Sequence, residues 1–324
     1  MSDANKSSTA KGAPKLPEVQ QHLVRPNDPV VGTIVSTKRC TVSDRSASYV
    51  RHIEIDVAGT ALEGSWRAGQ SFGVIPPGTT QSGKPHKLRL YSISCPTGGE
   101  TGDGTIISTT LKRLIDEHWD DHTLYLGECS NYLADLQVGD KVELTGPAGK
   151  RFLLPEHPED HNFIFFAAGT GIAPFRGMIG DLVKAGMPSR VDLFMGVSYE
   201  TDLLYDNEFK ELAKDYPDRF FYRPAISRHL THNQSRYMYV QHRLEEDRAV
   251  LTEILKSERT LIYICGIAKM EMGIFRMLKR ILDPESLAQY LKIDPSIGND
   301  PDQWNRSMIP RRIKPTKRLM LEVY

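Results

Sequence analysis

One short run constrains the fold of this chain more than any other. NFIFFAA, residues 162–168, is apolar on both faces of any strand it could form. A strand with one wet face alternates apolar and polar residues. A continuous apolar run belongs to a strand covered on both sides, as in a parallel sheet sandwiched by helices. The chain that follows keeps this rhythm. PFRGMIGDLVKAG (174–186) has helical spacing and ends at glycine, VDLFMGV (191–197) is a second buried strand, and NEFKELAKDY (207–216) is a second helix. FYRPAIS (221–227) is a third strand, VQHRLEEDRAVLTEILKS (240–257) one amphipathic helix, TLIYICG (260–266) a fourth strand, and MEMGIFRMLKRIL (270–282) carries a last helix. Strands alternating with helices predict an α/β, Rossmann-like domain with right-handed crossovers.

Upstream the texture differs. VVGTIVSTKRCT (30–41), YVRHIEIDV (49–57), QSFGVIPP (70–77), LRLYSIS (88–94), TIISTTLKR (105–113) and KVELTGPAG (141–149) are rich in β-branched residues, and turn-forming clusters separate most of them. Six such segments predict an antiparallel β-barrel or sandwich, of which the barrel is the expected architecture. With 324 residues and roughly 150 per domain, two domains are expected. The division is a mobile tail over 1–25, a barrel over 26–155 and the α/β domain over 156–324. The joint falls in GPAGKRFLLPEHPEDHN (146–162). Lys+Arg and Asp+Glu both number 41, so no basic excess points to nucleic acid. No apolar stretch reaches the ~18 residues of a membrane span, and the amino terminus has no apolar signal core. Cys40, Cys95, Cys129 and Cys265 stand far apart with no CxxC pair. They suit reduced thiols in a cytoplasmic protein, and no metal site is expected.

Several motifs carry chemistry. AAGTGIAPFR (167–176) follows a buried strand and opens a helix. Gly169 and Gly171 let the backbone approach a ligand, and the free N–H groups of the helix attract phosphate. Pro174 stands where a GxGxxG fingerprint would have its third glycine, so a plain strand–helix turn is the competing explanation. In RLYSIS (89–94), Arg89 offers a planar fork for phosphate and Tyr91 a flat face for a ring. Alternation puts Arg89, Tyr91 and Ile93 on one face and Ser92 on the other unless the strand bends. In GECSNYLADL (127–136), Ser130 reads as a helix N-cap, beside backbone N–H groups that could hold a second phosphate. AISR (225–228) closes the third parallel strand, where ligands bind in such sheets. Ser227 and Arg228 could take an extra phosphate there, with Arg236, Tyr237 and Tyr239 a few residues on. Cys265, in ICGIAKMEMG (264–273), is most simply a small buried hydrophobe. The chain closes on LEVY.

In this order RLYS, GECSNYL, GPAGK, GTGIAPFR, LLYDNEF, AISR, MYVQ, ICG and the terminal EVY resemble the plant-type ferredoxin–NADP+ reductases, from about residue 26 to the end. The resemblance implies an FAD-dependent oxidoreductase that exchanges electrons between NADP(H) and ferredoxin or flavodoxin. It implies that Arg89, Leu90, Tyr91, Ser92, Cys129, Ser130 and Tyr324 contact FAD. Tyr91 would pack on one face of the isoalloxazine and Tyr324 on the other, where the nicotinamide must displace it. Ser92, Cys265, Glu322 and Tyr324 would form the hydride-transfer site. Lys112, Gly169, Thr170, Gly171, Ser227, Arg228, Arg236, Tyr239, Cys265 and Gly266 would hold NADP(H). Hydride transfer moves two electrons and ferredoxin carries one, and a flavin can join the two.

Three departures from the family pattern stand out. Tyr237 replaces a common lysine, with Arg236 next to it. Asp116 stands where plant members place a tyrosine for the FAD adenine, leaving that role to Trp119, to Tyr125 or to nothing. RSMIPRRIKPTKRLML (306–321) is inserted before EVY. Its basic run, 311–318, is expected near the flavin, either as a docking patch for an acidic partner or as a solvated extension. A monomer is expected. Two alternative functions are a reductase component serving a dedicated partner such as an oxygenase, and a flavin-binding interaction protein without turnover.

Overall fold

The computed structural model describes residues 13–80, 82–231 and 236–324. The amino-terminal sheet contains β1 (Val30–Arg39), β2 (Val50–Asp56), β3 (Ser71–Val74), β4 (Arg89–Ser92) and β5 (Ile106–Lys112). A small hairpin follows, β6 (Ile115–Glu117) with β7 (Leu124–Leu126), then helix α1 (Glu128–Asp135) and strand β8 (Lys141–Ala148). The six long strands are antiparallel in the order β4-β3-β8-β1-β2-β5. An Ile93–Thr109 bridge and a Ser94 N–H bond to the Ser108 carbonyl (2.9 Å) join the two outer strands and close the barrel. Inward positions Ile34, Ile53, Ile55, Phe72, Ile93 and Leu144 are buried, and α1 plugs one end with Cys129 and Leu133.

The second sheet is parallel. β9 (Asn162–Ala168), α2 (Ala173–Lys184), β10 (Val191–Val197), α3 (Asp206–Asp215), β11 (Phe220–Ile226), α4 (Val240–Glu246), α5 (Arg248–Lys256), β12 (Thr260–Gly266) and α6 (Met270–Ile281) alternate as the sequence predicts. A short α7 (Pro284–Ala288), an antiparallel pair β13 (Leu291–Ile293) and β14 (Ile313–Pro315), and β15 (Leu319–Val323) complete the chain. Strand order is β11-β10-β9-β12-β15. Apolar clusters lie on both faces of this sheet, which accounts for the two-sided apolarity of NFIFFAA.

Four expectations need correction. Residues 13–25, placed in a mobile tail, lie along the barrel: Val24 is buried, the Val24 N–H donates to the Gly146 carbonyl (2.8 Å), and Lys15 pairs with Glu156 (2.6 Å). Residues 1–12 fall outside the described residues. The single helix over 240–257 is two, because Asp247 leaves helical geometry (φ −93°, ψ 20°) and its carboxylate pairs with Arg223 (3.1 Å). Residues 306–321 are not a solvated extension, since Ile313, Leu319 and Met320 are buried and β15 extends the sheet as a fifth parallel strand. Nor does the basic run 311–318 lie at the end of the sheet where the flavin is expected. The Arg318 carbonyl accepts from the Ile262 N–H (2.8 Å), near the amino end of β12, and the five residues of β15 carry the chain about 16 Å from there to Tyr324.

Candidate active site

In doubly wound sheets, ligands bind beyond the carboxyl ends of the strands where the order reverses. Here the reversal lies between β9 and β12. β9 ends at Ala168 and runs into Gly169-Thr170-Gly171; β12 ends at Gly266. Gly171 is required by close approach, since a Cβ there would lie 2.2 Å from the Cys265 carbonyl oxygen. Gly169 has φ +52°, a left-handed conformation that favours glycine, and open space where a side chain would project.

A cleft of about 640 Å³ opens at this end of the sheet, walled by both domains. The volume is ordinary for a cofactor site. From the barrel come Ser71, Arg89, Leu90, Tyr91, Ser92, Lys112, Tyr125, Cys129 and Ser130; from the other domain come Thr170, Ala173, Glu322, Val323 and Tyr324. All four residues of β4 line the cleft; β4 pairs with β3 along its length, and the bridge to β5 falls just beyond it at Ile93. The separation of Ser92 from Arg89 and Tyr91 onto opposite faces therefore does not exclude it from the site.

The floor of the cleft joins the two domains. Glu322 Oε1 accepts from Ser92 Oγ (3.3 Å) and Ser71 Oγ (3.4 Å). The Thr109 hydroxyl holds the Ser92 carbonyl (2.8 Å). Burial pushes the Glu322 carboxyl above its ordinary value, and the two serine hydroxyls pull it partly back. Cys265 is opposite Glu322 in register but fully buried, so it lies behind the cleft wall. Burial, then the Glu322 charge, raises its thiol well above the ordinary range, which keeps it protonated at neutral pH.

The chain end is fixed. The Tyr324 N–H donates to the Gly266 carbonyl (3.0 Å), its own carbonyl accepts from the Ala268 N–H (2.8 Å), and its hydroxyl bonds Thr170 Oγ1 (2.7 Å). The residue is nonetheless 61% exposed and lines the cleft.

Ser130 is not the N-cap expected of it. The cap of α1 is Gly127, and Ser130 lies in the first turn, its hydroxyl donating to the Gly127 carbonyl (3.2 Å) and accepting from the Leu114 N–H (3.2 Å). The first backbone N–H groups of α1 have no partner within the helix and point outward at the cleft end. Of the two aromatic candidates on the hairpin, Tyr125 lines the cleft, whereas Trp119 is 95% exposed at the hairpin tip.

Ser227, Arg228, Arg236 and Tyr239 form a separate group at the end of β11, two strands or about 10 Å from β9. The Ser227 hydroxyl donates to the Val197 carbonyl (3.2 Å), and Arg228 is exposed. Sequence reasoning missed Ser71, which pairs with Ser92 in the β3–β4 register; nothing local marks it.

Glu322→Gln offers a first check. A carboxyl held above its unfolded value favours the protonated fold, so its contribution to stability declines as pH rises from about 4.5 through the raised value. Glutamine cannot ionise. The thermal midpoint of Glu322→Gln relative to the natural protein should therefore rise across that window, and a constant difference across pH would contradict this.

Comparison with known proteins places the chain. The model of an oxidoreductase NAD-binding domain matches residues 165–275. The chain is 38% identical to the ferredoxin–NADP reductase of Thermosynechococcus vestitus over 265 residues, covering 80% of this chain and 68% of that protein. It is 37% identical to the enzyme of the same name from Spirulina over 262 residues, 79% and 88% of the two chains. It is 36% identical to chloroplastic leaf isozyme 1 of Arabidopsis thaliana over 289 residues, 87% and 77%. The fold superposes on the ferredoxin–NADP+ reductase of Plasmodium falciparum with a TM-score of 0.70 at 24% identity, covering 94% of this chain and 99% of that one.

Proposed function

The chain belongs to the plant-type ferredoxin–NADP+ reductase family, and from that premise we infer that it is an FAD-dependent oxidoreductase exchanging electrons between NADP(H) and ferredoxin. The observation that carries this reading is the cleft floor, where Ser92 of the barrel meets Glu322 of the α/β domain under Tyr324. FAD, when bound, supplies the chemistry that links a hydride donor to a one-electron carrier.

The residues present fit that cofactor. The cleft has the volume for it, with an apolar wall from Leu90, Leu114 and Tyr125. Arg89 and the free N–H groups at the start of α1, beside Cys129 and Ser130, suit a pyrophosphate. Tyr91 presents its ring to the cleft, and burial keeps its phenol protonated. We assign Ser92 to orienting the reacting edge, with Glu322 holding its hydroxyl. Tyr324 covers the opposite face and excludes water. Cys265, from behind the wall, packs Glu322 and the chain end. Gly169, Thr170, Gly171 and Gly266 line the dinucleotide path at the switch point, with Lys112 across the cleft. Ser227, Arg228, Arg236 and Tyr239 receive the 2′-phosphate end. On this reading residues 26–155 are the FAD-binding unit and 156–324 the NADP(H)-binding unit. Flavodoxin is a second carrier we propose, and a monomer the working state. No helix among the described residues is long and apolar enough to cross a membrane. The four free cysteines suit a reducing compartment, for which we propose the cytoplasm.

Two results test the assignment. The purified protein should be yellow and release FAD, not FMN, on denaturation, and Arg89→Ala should retain less flavin while binding NADPH normally. Release of FMN would overturn the pyrophosphate assignment. Arg228→Ala should lower kcat/KM for NADPH by about tenfold or more and leave NADH nearly unchanged, since one charge-assisted bond is worth roughly 1.5–3 kcal/mol. Equal losses with both nucleotides would remove Arg228 from the 2′-phosphate site.

A further inference from the structure

The 2′-phosphate group of residues contains a competition that its sequence does not reveal. The chain leaves the end of β11 at Ile226 and returns at Met238, whose N–H donates to the Ile226 carbonyl (2.9 Å). On the leaving arm, the Ser227 and Arg228 N–H groups bond the Val197 and Ser198 carbonyls (3.0 and 2.9 Å). Arg228 is two residues out on the leaving arm, and Arg236 is two residues out on the returning arm. Both arginines thus leave the same carboxyl edge of the sheet, each two residues from the Ile226–Met238 bond.

They are not equally available. Arg236 Nη2 donates to Glu245 Oε2 at 2.6 Å, and its Nε lies 3.6 Å from Glu246 Oε1. Arg243 also reaches Glu246, through Nη1 (3.3 Å). Glu245 is therefore the principal partner of Arg236. Helix α4, which carries both glutamates, starts at Tyr239: the Tyr239 N–H donates to His242 Nδ1 (3.2 Å), and the two rings meet edge to face (5.9 Å). The aromatic ring and the competing carboxylate thus ride on one element. Both partners of the pair are about half exposed, so the bond can exchange. A phosphate monoester carries up to about two charges and three acceptor oxygens, and so attracts the guanidinium more strongly than one carboxylate does. To reach it, Arg236 must first give up Glu245.

We propose that Glu245 is a specificity-determining residue that competes with the 2′-phosphate of NADP(H) for Arg236, weakening nucleotide binding and easing its release. The proposal rests on the assignment of this group to the 2′-phosphate. It also gives Arg236, beside a tyrosine where the family commonly has lysine, a graded rather than a permanent role.

Calorimetric titration of the FAD-loaded protein with adenosine 2′,5′-bisphosphate and with 5′-AMP tests it. Glu245→Gln should tighten the bisphosphate by about two- to fivefold, the range an exposed ion pair supports, and leave 5′-AMP unchanged. The gain should shrink as salt rises. It should vanish in the double variant Arg236→Ala/Glu245→Gln. If the natural protein binds both ligands equally, the 2′-phosphate assignment fails, and the competition with it. If the bisphosphate binds tighter to the natural protein but Glu245→Gln changes nothing, or the gain survives without Arg236, the competition alone is overturned.

Discussion

Replacing Tyr324 by serine is expected to tighten the binding of oxidised nicotinamide nucleotide by about two- to tenfold and to slow turnover. In the folded chain the tyrosine is held at three points, by Gly266, Ala268 and Thr170, with its ring over the cleft. On the proposed assignment, a nicotinamide ring that enters must displace it. Aromatic stacking is worth roughly 0.5–1.5 kcal/mol beyond the area buried, and every 1.4 kcal/mol is tenfold in affinity. Serine removes the competitor. The product then leaves slowly, and discrimination against NADH relaxes because 2′-phosphate contacts no longer have to drive the displacement. Equilibrium binding of NADP+ and steady-state rates with both nucleotides read these effects together. Unchanged selectivity in Tyr324→Ser would refute the gate.

Arg176→Met is expected to cost about 2–3 kcal/mol of stability, somewhat below the ~3–5 kcal/mol for stranding one member of a fully buried ion pair, because both partners are 16% exposed and Glu100 keeps His52 and Ser108. Arg176, in the first turn of α2 after the Gly169–Gly171 loop, reaches into the barrel. Its guanidinium bonds Glu100 (2.7 Å), Glu208 (3.1 Å) and the Ser94 carbonyl (3.1 Å), and lies 5.0 Å from the Tyr205 ring centroid. Glu100 also accepts from Ser108 (2.6 Å) and lies 3.2 Å from His52 Nε2. Burial alone would raise the Glu100 carboxyl, but the His52 hydrogen bond and the Arg176 charge outweigh it and hold it at about 2. A carboxyl held below its unfolded value adds stability above about pH 4.5 and loses it as pH falls toward about 2. The natural protein should therefore lose stability over that interval more steeply than Arg176→Met does. Adding Glu100→Gln to Arg176→Met should recover part of the loss, since the stranded charge is gone. Thermal melts of the three variants across pH measure both effects. A loss under about 1 kcal/mol for Arg176→Met would mean that the network does not tie the domains together.

The parallel sheet was legible because burial on both faces leaves a mark in the strand itself: NFIFFAA cannot be half wet. The six barrel strands were legible from β-branched runs between turns, and the motif residues of one cleft wall, Arg89 to Ser92, because they are contiguous. What the sequence could not show depends on partners distant in the chain. LMLEV is too short to identify as a strand until β12 offers it an edge; the burial of Leu319 goes with that docking, and Ile313 is buried where β14 pairs with β13. A run of arginines and lysines says nothing about which end of a sheet it decorates, so 311–318 was assigned to the wrong one. Ser71 enters the site through its register with Ser92, and Asp247, where the helical pattern breaks, pairs with Arg223, a residue distant in the chain. The β6–β7 hairpin is exposed on all its strand positions and therefore has no buried period to read.

The most direct measurement is anaerobic mixing of the purified, flavin-loaded protein with NADPH, followed by addition of oxidised ferredoxin. The visible flavin absorbance should bleach with NADPH, much more slowly with NADH, and recover as ferredoxin becomes reduced. A flavin that NADPH fails to bleach, or that bleaches but passes nothing to ferredoxin, would contradict the account.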